Sequence, residues 1–255
     1  MTPAFEATVL GRHRVQYYFC QESGLLQTEE PYWLEEAYSS AITEMDTGLA
    51  ARNLLNRDRC AVWLHHMFGP DCQYADVAGG YGLLTRLMRD AGFRFYHYDK
   101  FCENIFARKL EPPPEFRADA VCAFEVFEHL TNPMEFITES FDTYKTDSML
   151  FSTLLFYKDR VPPQDWWYYT FPTGQHVSFY QPRSLRMIAK KLGKKFTALS
   201  PDLHWISKHE PSPRFVAWMK KPWFSRYMTG RVLRNMAPHS LTIADSTAGT
   251  ARVQG

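Results

Sequence analysis

The chain has 255 residues, enough to bury a full hydrophobic core in one large domain, or in one domain with a smaller appendage. Its 29 basic and 28 acidic side chains leave a formal charge of +1, so no overall field gathers nucleic acid, and nucleic acid is not an expected partner. Five scattered cysteines without a Cys-x-x-Cys pair and the lack of an apolar leader set the expectation of a reducing cytoplasm, and no apolar run approaches the roughly 18 to 20 residues of a membrane span.

Taken in order, HRVQYYFCQESGLLQ (13–27) alternates apolar residues and breaks at Ser23-Gly24, which predicts a small hairpin. Cys20 has Ser23 where a second thiol would stand, and one thiolate cannot build a four-ligand structural zinc site. The stretch 31–69 reads as two helices, with Pro31 suited to a first turn, Glu35 and Glu36 to the positive helix end, and Leu54, Leu55, Val62 and Leu64 directed to a core. QYADVAGGYG (73–82) is a short apolar strand that ends at Asp76 and turns through Gly79, Gly80 and Gly82, where the missing Cβ atoms let backbone approach a ligand. A helix follows, with Leu83, Leu84, Leu87 and Met88 on one face and Gly92 as its stop. FRFYHYD (93–99) alternates as a strand and places Asp99 at its end, roughly 20 residues after the glycine turn, where doubly wound folds hold a ribose hydroxyl pair.

After a proline-rich loop, the apolar run that Asp119 begins reads as a central parallel strand buried on both faces. A helix is predicted over Pro133 to Tyr144 with Asn132 as its cap, then a buried strand in DSMLFSTLLF (147–156). The aromatic segment from Lys158 to His176 is too long for an ordinary connector and reads as a functional loop. Gln181-Pro182 opens a helix that Gly193 closes, KKFTALS and LHWIS are candidate strands, and a helix from about Ser212 to Met236 is interrupted at Pro222. Residues 244–255 are small and polar and are expected to be disordered.

Asp76-Val77-Ala78-Gly79-Gly80-Tyr81-Gly82 resembles motif I of the class I methyltransferases that use S-adenosylmethionine. Asp99 stands where that family keeps its ribose-binding acid, AFEVFEHLTNP (123–133) resembles the motif after its fourth strand, and GQHVSFYQPRSLRMIAKKLG (174–193) its segment after the fifth. The resemblance implies an α/β, doubly wound, Rossmann-like sheet that is mostly parallel with an antiparallel strand near the end. It implies a hairpin and helical lid over 1–70, the methyltransferase domain over 71–243, and a cofactor held by Asp76, Ala78, Gly79, Gly80, Gly82, Asp99 and Phe124. Arg52 is a candidate partner for the methionyl carboxylate, with a solvated surface arginine as the plainer reading. Two departures stand out. Ala78 replaces the usual first glycine, which ordinary backbone dihedrals would tolerate, and the span from Asp99 to Asp119 leaves little room for the family's second helix and third strand.

Methyl transfer from a sulfonium is an in-line displacement in which the enzyme aligns donor and acceptor and handles one proton. A hydroxyl acceptor needs a base or a metal to lower its pKa. If Glu125 to His129 begin a helical turn, Glu125 projects to the same side as Glu128 and His129, and His176 can close the set. This Glu-x-x-Glu-His with a later histidine resembles the metal site of ubiquinone-type and small-RNA 2'-O-methyltransferases, implying manganese, iron, zinc or magnesium on Glu125, Glu128, His129 and His176. Two other readings stay open: Glu128, His129 and His176 as metal-free acid-base groups, or a structural turn. Trp166, Trp167, Tyr168 and Tyr169 suit the face of a sugar or an aromatic acceptor, or else wedge the loop onto the core, and Tyr32 and Trp33 are candidates for an opposite wall. The expected activity is O-methylation of a small hydroxylated acceptor such as a sugar or nucleotide-sugar. N- or C-methylation, a non-catalytic cofactor-binding module and a nicotinamide oxidoreductase are its rivals, the last disfavoured by the incomplete glycine pattern.

Overall fold

The computed structural model describes residues 1–38, 47–157 and 160–251. Its strands are β1 (Thr2–Val9), β2 (His13–Phe19), β3 (Leu26–Thr28), β4 (Gln73–Val77), β5 (Arg94–Tyr98), β6 (Ala120–Ala123), β7 (Met149–Ser152), β8 (Ser178–Phe179), β9 (Lys195–Ala198) and β10 (Leu203–Ser207). Its helices are α1 (Leu34–Ala37), α2 (Leu49–Phe68), α3 (Leu83–Asp90), α4 (Pro133–Tyr144), α5 (Pro182–Lys191), α6 (Pro213–Met219), α7 (Pro222–Met236) and α8 (Thr242–Ala251). The larger sheet has the strand order β5-β4-β6-β7-β10-β9. It is parallel where β4 meets β5 and β6, and antiparallel where β10 meets β9. This is the mixed, mostly parallel α/β sheet expected. Residues 39–46, within the two-helix stretch, and 158–159, within the aromatic loop, lie outside the described residues.

The chain forms two compact units, each discontinuous in sequence. One comprises Met1–Thr47, Phe124–Glu139 and Phe151–Glu210. Its antiparallel sheet runs β1-β2-β3-β8, so the predicted hairpin about Ser23-Gly24 is the β2–β3 pair, extended by β1 on one side and by a strand 150 residues downstream on the other. Along β2 the alternation buries Val15, Tyr17 and Phe19, which pack with Leu26, Trp33, Tyr169 and Phe179. The helix that Gln181-Pro182 opens is α5, where the side chain of Gln181 accepts from the backbone of the first turn and the Ser184 hydroxyl accepts from Gln181 N–H, a reciprocal cap.

The other unit comprises Gly48–Ala123, Ser140–Leu150 and Pro211–Gly255. Its strand β4 lies between β5 and β6, with Asp76 in register with His97 and Cys122, and α2 packs against α3 and α7. Val62 and Leu64 of α2 are buried as expected, but Leu54 and Leu55 are exposed; the inward face is carried by Asn56, Cys60, Ala61, Val62, Trp63 and Leu64. Between β5 and β6 the chain makes only turns and bends, without the family's second helix or third strand. The loop instead returns along β5, where His97 N–H donates to Leu110 carbonyl at 2.8 Å, and this partly covers a sheet edge. The expected disordered tail is helical over Thr242–Ala251, because Asp245 pairs with Arg86 and Arg89 at 2.9 and 2.5 Å and Leu241 N–H bonds to Arg89 carbonyl at 3.0 Å. Residues 252–255 lie outside the described residues.

Candidate active site

In the second unit, the turn from β4 into α3 sets Ala78, Gly80 and Gly82 at φ of 55°, 58° and 83°. Ala78 therefore does not keep ordinary dihedrals; it carries a methyl group in the left-handed region, where a side chain costs about 1 to 2 kcal/mol. Gly79 is a glycine for a different reason. A Cβ there would fall 2.6 Å from Asp76 Oδ2 and 2.8 Å from His97 Nδ1. Asp76 lies buried beneath the turn and accepts from the Thr85 hydroxyl at 3.1 Å. Burial pushes its pKa up to about 7, which Thr85 partly offsets and the nearby Asp99 charge adds to.

The open side of the turn is at Gly80, where, its chain neighbours aside, no atom of the described residues lies within 4 Å of a Cβ position. Gly80 N–H donates to Asp99 Oδ2 at 2.9 Å, while Asp99 Oδ1 accepts from Phe101 and Cys102 N–H at 2.7 and 2.8 Å. A carboxylate fixed beside uncovered backbone fits an adenosyl ligand whose ribose hydroxyls donate to it. Arg52 is half-buried in the first turn of α2, and Phe124, assigned to the other unit, is half-buried just past β6.

In the first unit, Glu128, His129 and His176 each offer a ligand atom, and these atoms lie within 4.8 Å of one another. Two backbone constraints assemble them. Phe127–His129 is a single 3-10 turn, and Val177 N–H donates to Glu128 carbonyl at 2.8 Å, which holds the His176 segment against it. Glu128 is fully buried, and among the described residues neither carboxylate oxygen has a hydrogen-bond partner. Burial lifts its pKa to about 7, against smaller opposing effects of its own backbone N–H and of the Tyr168 and Thr153 hydroxyls, which lie near the carboxylate without reaching hydrogen-bond geometry.

Each imidazole is anchored by Nδ1 to a backbone carbonyl, His129 to Gln175 at 3.0 Å and His176 to Tyr168 at 2.7 Å. A carbonyl only accepts, so Nδ1 carries the proton and Nε2 keeps its lone pair in both rings. Burial lowers both pKa values, His176 to about 3 with the neighbouring His129 adding to the effect. Both rings are thus neutral at physiological pH.

Glu125 is exposed and is not one of the three residues whose ligand atoms converge, although its charge reaches His129 and Tyr168. Its φ of 56° breaks the turn that would have aligned it with Glu128, its backbone N–H donates to Ser152 Oγ at 2.7 Å, and Ser152 Oγ donates to its carboxylate at 3.3 Å. Neither Tyr38, whose hydroxyl lies 3.1 Å from His129 Nδ1, nor Thr153 carries a recognisable signal in the sequence. Of the four adjacent aromatics, Tyr168 and Tyr169 are buried, Trp166 is half-buried against Phe156 and Phe179, and only Trp167 is well exposed, at 71%. Tyr168 belongs to the frame of the site: its hydroxyl accepts from Leu154 N–H at 3.0 Å and its carbonyl holds His176. Trp33 is buried and donates to Gly174 carbonyl at 2.8 Å, whereas Tyr32 is exposed.

The profile of a family described as methyltransferase domain matches residues 55–199, more than half of the chain. The chain belongs to this methyltransferase family. No curated protein sequence matches the methyltransferase. Among solved structures it is similar to an O-methyltransferase family protein from Burkholderia thailandensis, at 15% identity and TM-score 0.44 over 63% of this chain and 60% of that one. It is also similar to magnesium protoporphyrin IX methyltransferase from Synechocystis PCC 6803 with bound SAH, at 13% identity and TM-score 0.45 over 70% and 96% of the two chains. A third is human N-acetylserotonin methyltransferase in complex with SAM, at 17% identity and TM-score 0.44 over 71% and 60%. The chain spans about three-fifths of the length of the first and third of these.

Proposed function

We propose that this methyltransferase O-methylates a small hydroxylated acceptor, a sugar or nucleotide-sugar being the leading class, and that Glu128, His129 and His176 hold a divalent cation that activates the hydroxyl. The observation that carries this reading is the pairing of a buried carboxylate, whose oxygens find no hydrogen-bond partner among the described residues, with two neutral imidazoles whose Nδ1 atoms are tied back to carbonyls. A buried polar group without a partner costs about 1 to 3 kcal/mol, and more when charged, so such a group signals a missing ligand. One carboxylate and two imidazoles suit iron, manganese or zinc. A cation bound there supplies positive charge that lowers the pKa of an acceptor hydroxyl.

The remaining work falls to the chain. Asp99 and the Gly80 backbone orient the donor, Glu128 stays ionised only when its charge is balanced, the carbonyls of Gln175 and Tyr168 keep both Nε2 lone pairs available, and Trp167 offers an aromatic face to the acceptor. A second reading rests on the pKa of Glu128 itself. At about 7 it suits a general base at neutral pH without any cation. N- or C-methylation and a non-catalytic cofactor-binding module are the further alternatives.

Calorimetric titration separates these readings. S-adenosylhomocysteine is titrated into chelator-treated protein and into protein with Mn(II), Fe(II), Zn(II) or Mg(II), and turnover is assayed on a panel of sugars and nucleotide-sugars. The proposal expects cofactor binding in every case, and cation binding that disappears in Glu128→Gln and His176→Ala along with about 100-fold or more of the turnover. Cofactor binding and turnover without cation binding leave Glu128 as a base and remove the metal. Cofactor binding without turnover on any hydroxylated acceptor defeats the O-methylation reading.

A further inference from the structure

The chain is nearly neutral, but its charge is unevenly placed. From Pro211 to Met236 it carries Arg214, Lys220, Lys221, Arg226, Arg231 and Arg234 and no acidic residue, so the rest of the chain is net negative. This segment is the α6–α7 helical hairpin, closed by Lys221 N–H donating to Trp218 carbonyl at 2.9 Å. All six cations are exposed.

The hairpin is held to its unit by one set of apolar residues and displays another. Phe215 stacks on His66 at 3.7 Å between ring centroids and meets Trp63 edge-on, Phe224 packs on Phe215, and Val232 and Met236 are buried. On the outside, Trp218, Trp223 and Tyr227 are 44%, 60% and 54% exposed. Trp223 and Tyr227 are one helical turn apart, and continuing that face along α7 leads to Arg231 and Arg234. Trp218 and Trp223 meet edge-on at 5.8 Å, and Lys221 Nζ lies 4.7 Å from the Trp218 ring centre. Packing within the unit leaves much of all three large rings in water, and they stand among cations.

We propose that this hairpin is a docking surface for an anionic lipid bilayer, lying in the plane of the headgroups with Trp218, Trp223 and Tyr227 inserted at the interface. Short helices with basic residues around Trp and Tyr bind membranes in this way, through buried ring area and attraction of each cation to acidic headgroups. No helix among the described residues is long and apolar enough to cross a membrane, so the contact is peripheral. Single-stranded nucleic acid also selects cations with aromatics, but it needs open ring faces on which bases stack. Here Lys221 sits over Trp218, and Trp218, Trp223 and Phe224 interlock at interplanar angles of 58° to 85°. Such a cluster suits insertion as a wedge better than stacking.

The test is co-sedimentation of the full chain with vesicles of phosphatidylcholine alone or with about one-third phosphatidylglycerol, with tryptophan quenching by brominated acyl chains. The proposal expects binding that requires the anionic lipid, weakens at about 0.5 M salt, and quenches tryptophan. The double variant W218A/W223A and the triple variant K220E/K221E/R226E should each reduce partitioning about tenfold or more, while keeping the thermal shift given by S-adenosylhomocysteine. No vesicle binding, equal binding to neutral vesicles, or undiminished binding by both variants overturns it. Tight binding of a single-stranded oligonucleotide, lost in the variants and without vesicle binding, overturns it in favour of nucleic acid. If a variant does not fold, the quenching of the unaltered chain decides.

Discussion

Glu128 is the residue whose chemistry its surroundings constrain most, and its proton gives a direct handle on it. In the folded chain it titrates near 7 rather than at its ordinary 4.5, so between those values the folded state holds a proton that the unfolded state has released. Its contribution is fully present below about pH 4.5 and is lost as pH rises through 7. In chelator-treated protein, Glu128→Gln should therefore gain stability relative to the unaltered chain between pH 5 and pH 8, by on the order of a few kcal/mol across the whole window. Urea unfolding at several pH values reads this directly, and a difference that does not change with pH would refute the buried, unbalanced carboxylate. Asp76 titrates in a similar range but is present in both proteins, so it cancels. Ala78 is a second residue whose backbone makes a claim. With φ at 55°, Ala78→Gly should raise unfolding stability by about 0.5 to 1 kcal/mol, the released strain exceeding the extra chain entropy that glycine brings. A loss of stability would mean that the methyl group packs usefully.

At the scale of elements, what was legible in the sequence was local. The strand–glycine turn–helix from Gln73 to Asp90, the acid at the end of β5 and the opening of α5 at Gln181-Pro182 follow from spacing and turn chemistry, and each stands where those rules put it. Partners distant in the chain were not legible. Nothing in HRVQYYF indicates that its sheet is completed by Ser178–Phe179, and nothing near Tyr38 indicates that its hydroxyl reaches His129. The alignment of Glu125 with Glu128 assumes helical backbone, and the left-handed φ of 56° at Glu125 departs from it; the converging ligand atoms are those of Glu128, His129 and His176. The tail shows the same limit. Its small polar composition argues for disorder, yet one acid ordered by two arginines anchors α8: burial pushes Asp245 up, but Arg89 and Arg86 outweigh this and hold its carboxyl below the usual range. Asp245→Asn should accordingly cost about 1 to 2 kcal/mol and speed proteolysis within Thr242–Ala251. Its stabilising effect should fade as pH falls below about 4, because a depressed carboxyl loses its advantage once it is protonated. Unchanged proteolysis in the variant would assign the ordering of α8 to Leu241 and its backbone bond alone.

On the scale of the whole molecule, the two candidate ligands map onto different units: the proposed adenosyl cradle belongs to the unit that contains β4 and β5, the carboxylate–imidazole cluster to the unit that contains β8. Ligand binding stabilises a native state against every opening that destroys its site, and at about 100 times its Kd the effect is about 2.7 kcal/mol. Openings smaller than global unfolding are confined to contiguous parts of a structure, so protection from hydrogen exchange reports which part a ligand holds together. S-adenosylhomocysteine should thus slow exchange first at Gly80, Phe101 and Cys102, whose N–H groups are bound to Asp99. A divalent cation should slow it at Val177 and His129, whose N–H groups close the turn around Glu128. Glu128→Gln should abolish the second pattern and preserve the first. Protection by the cofactor analogue at Val177 with none at Gly80 would place the adenosyl site in the wrong unit and sink the assignment of Asp99. Protection by the cation at Gly80 alone would do the same for the cluster. Because each ligand has its own variant and its own amides, failure of the metal reading leaves the cofactor assignment standing, and the reverse holds as well.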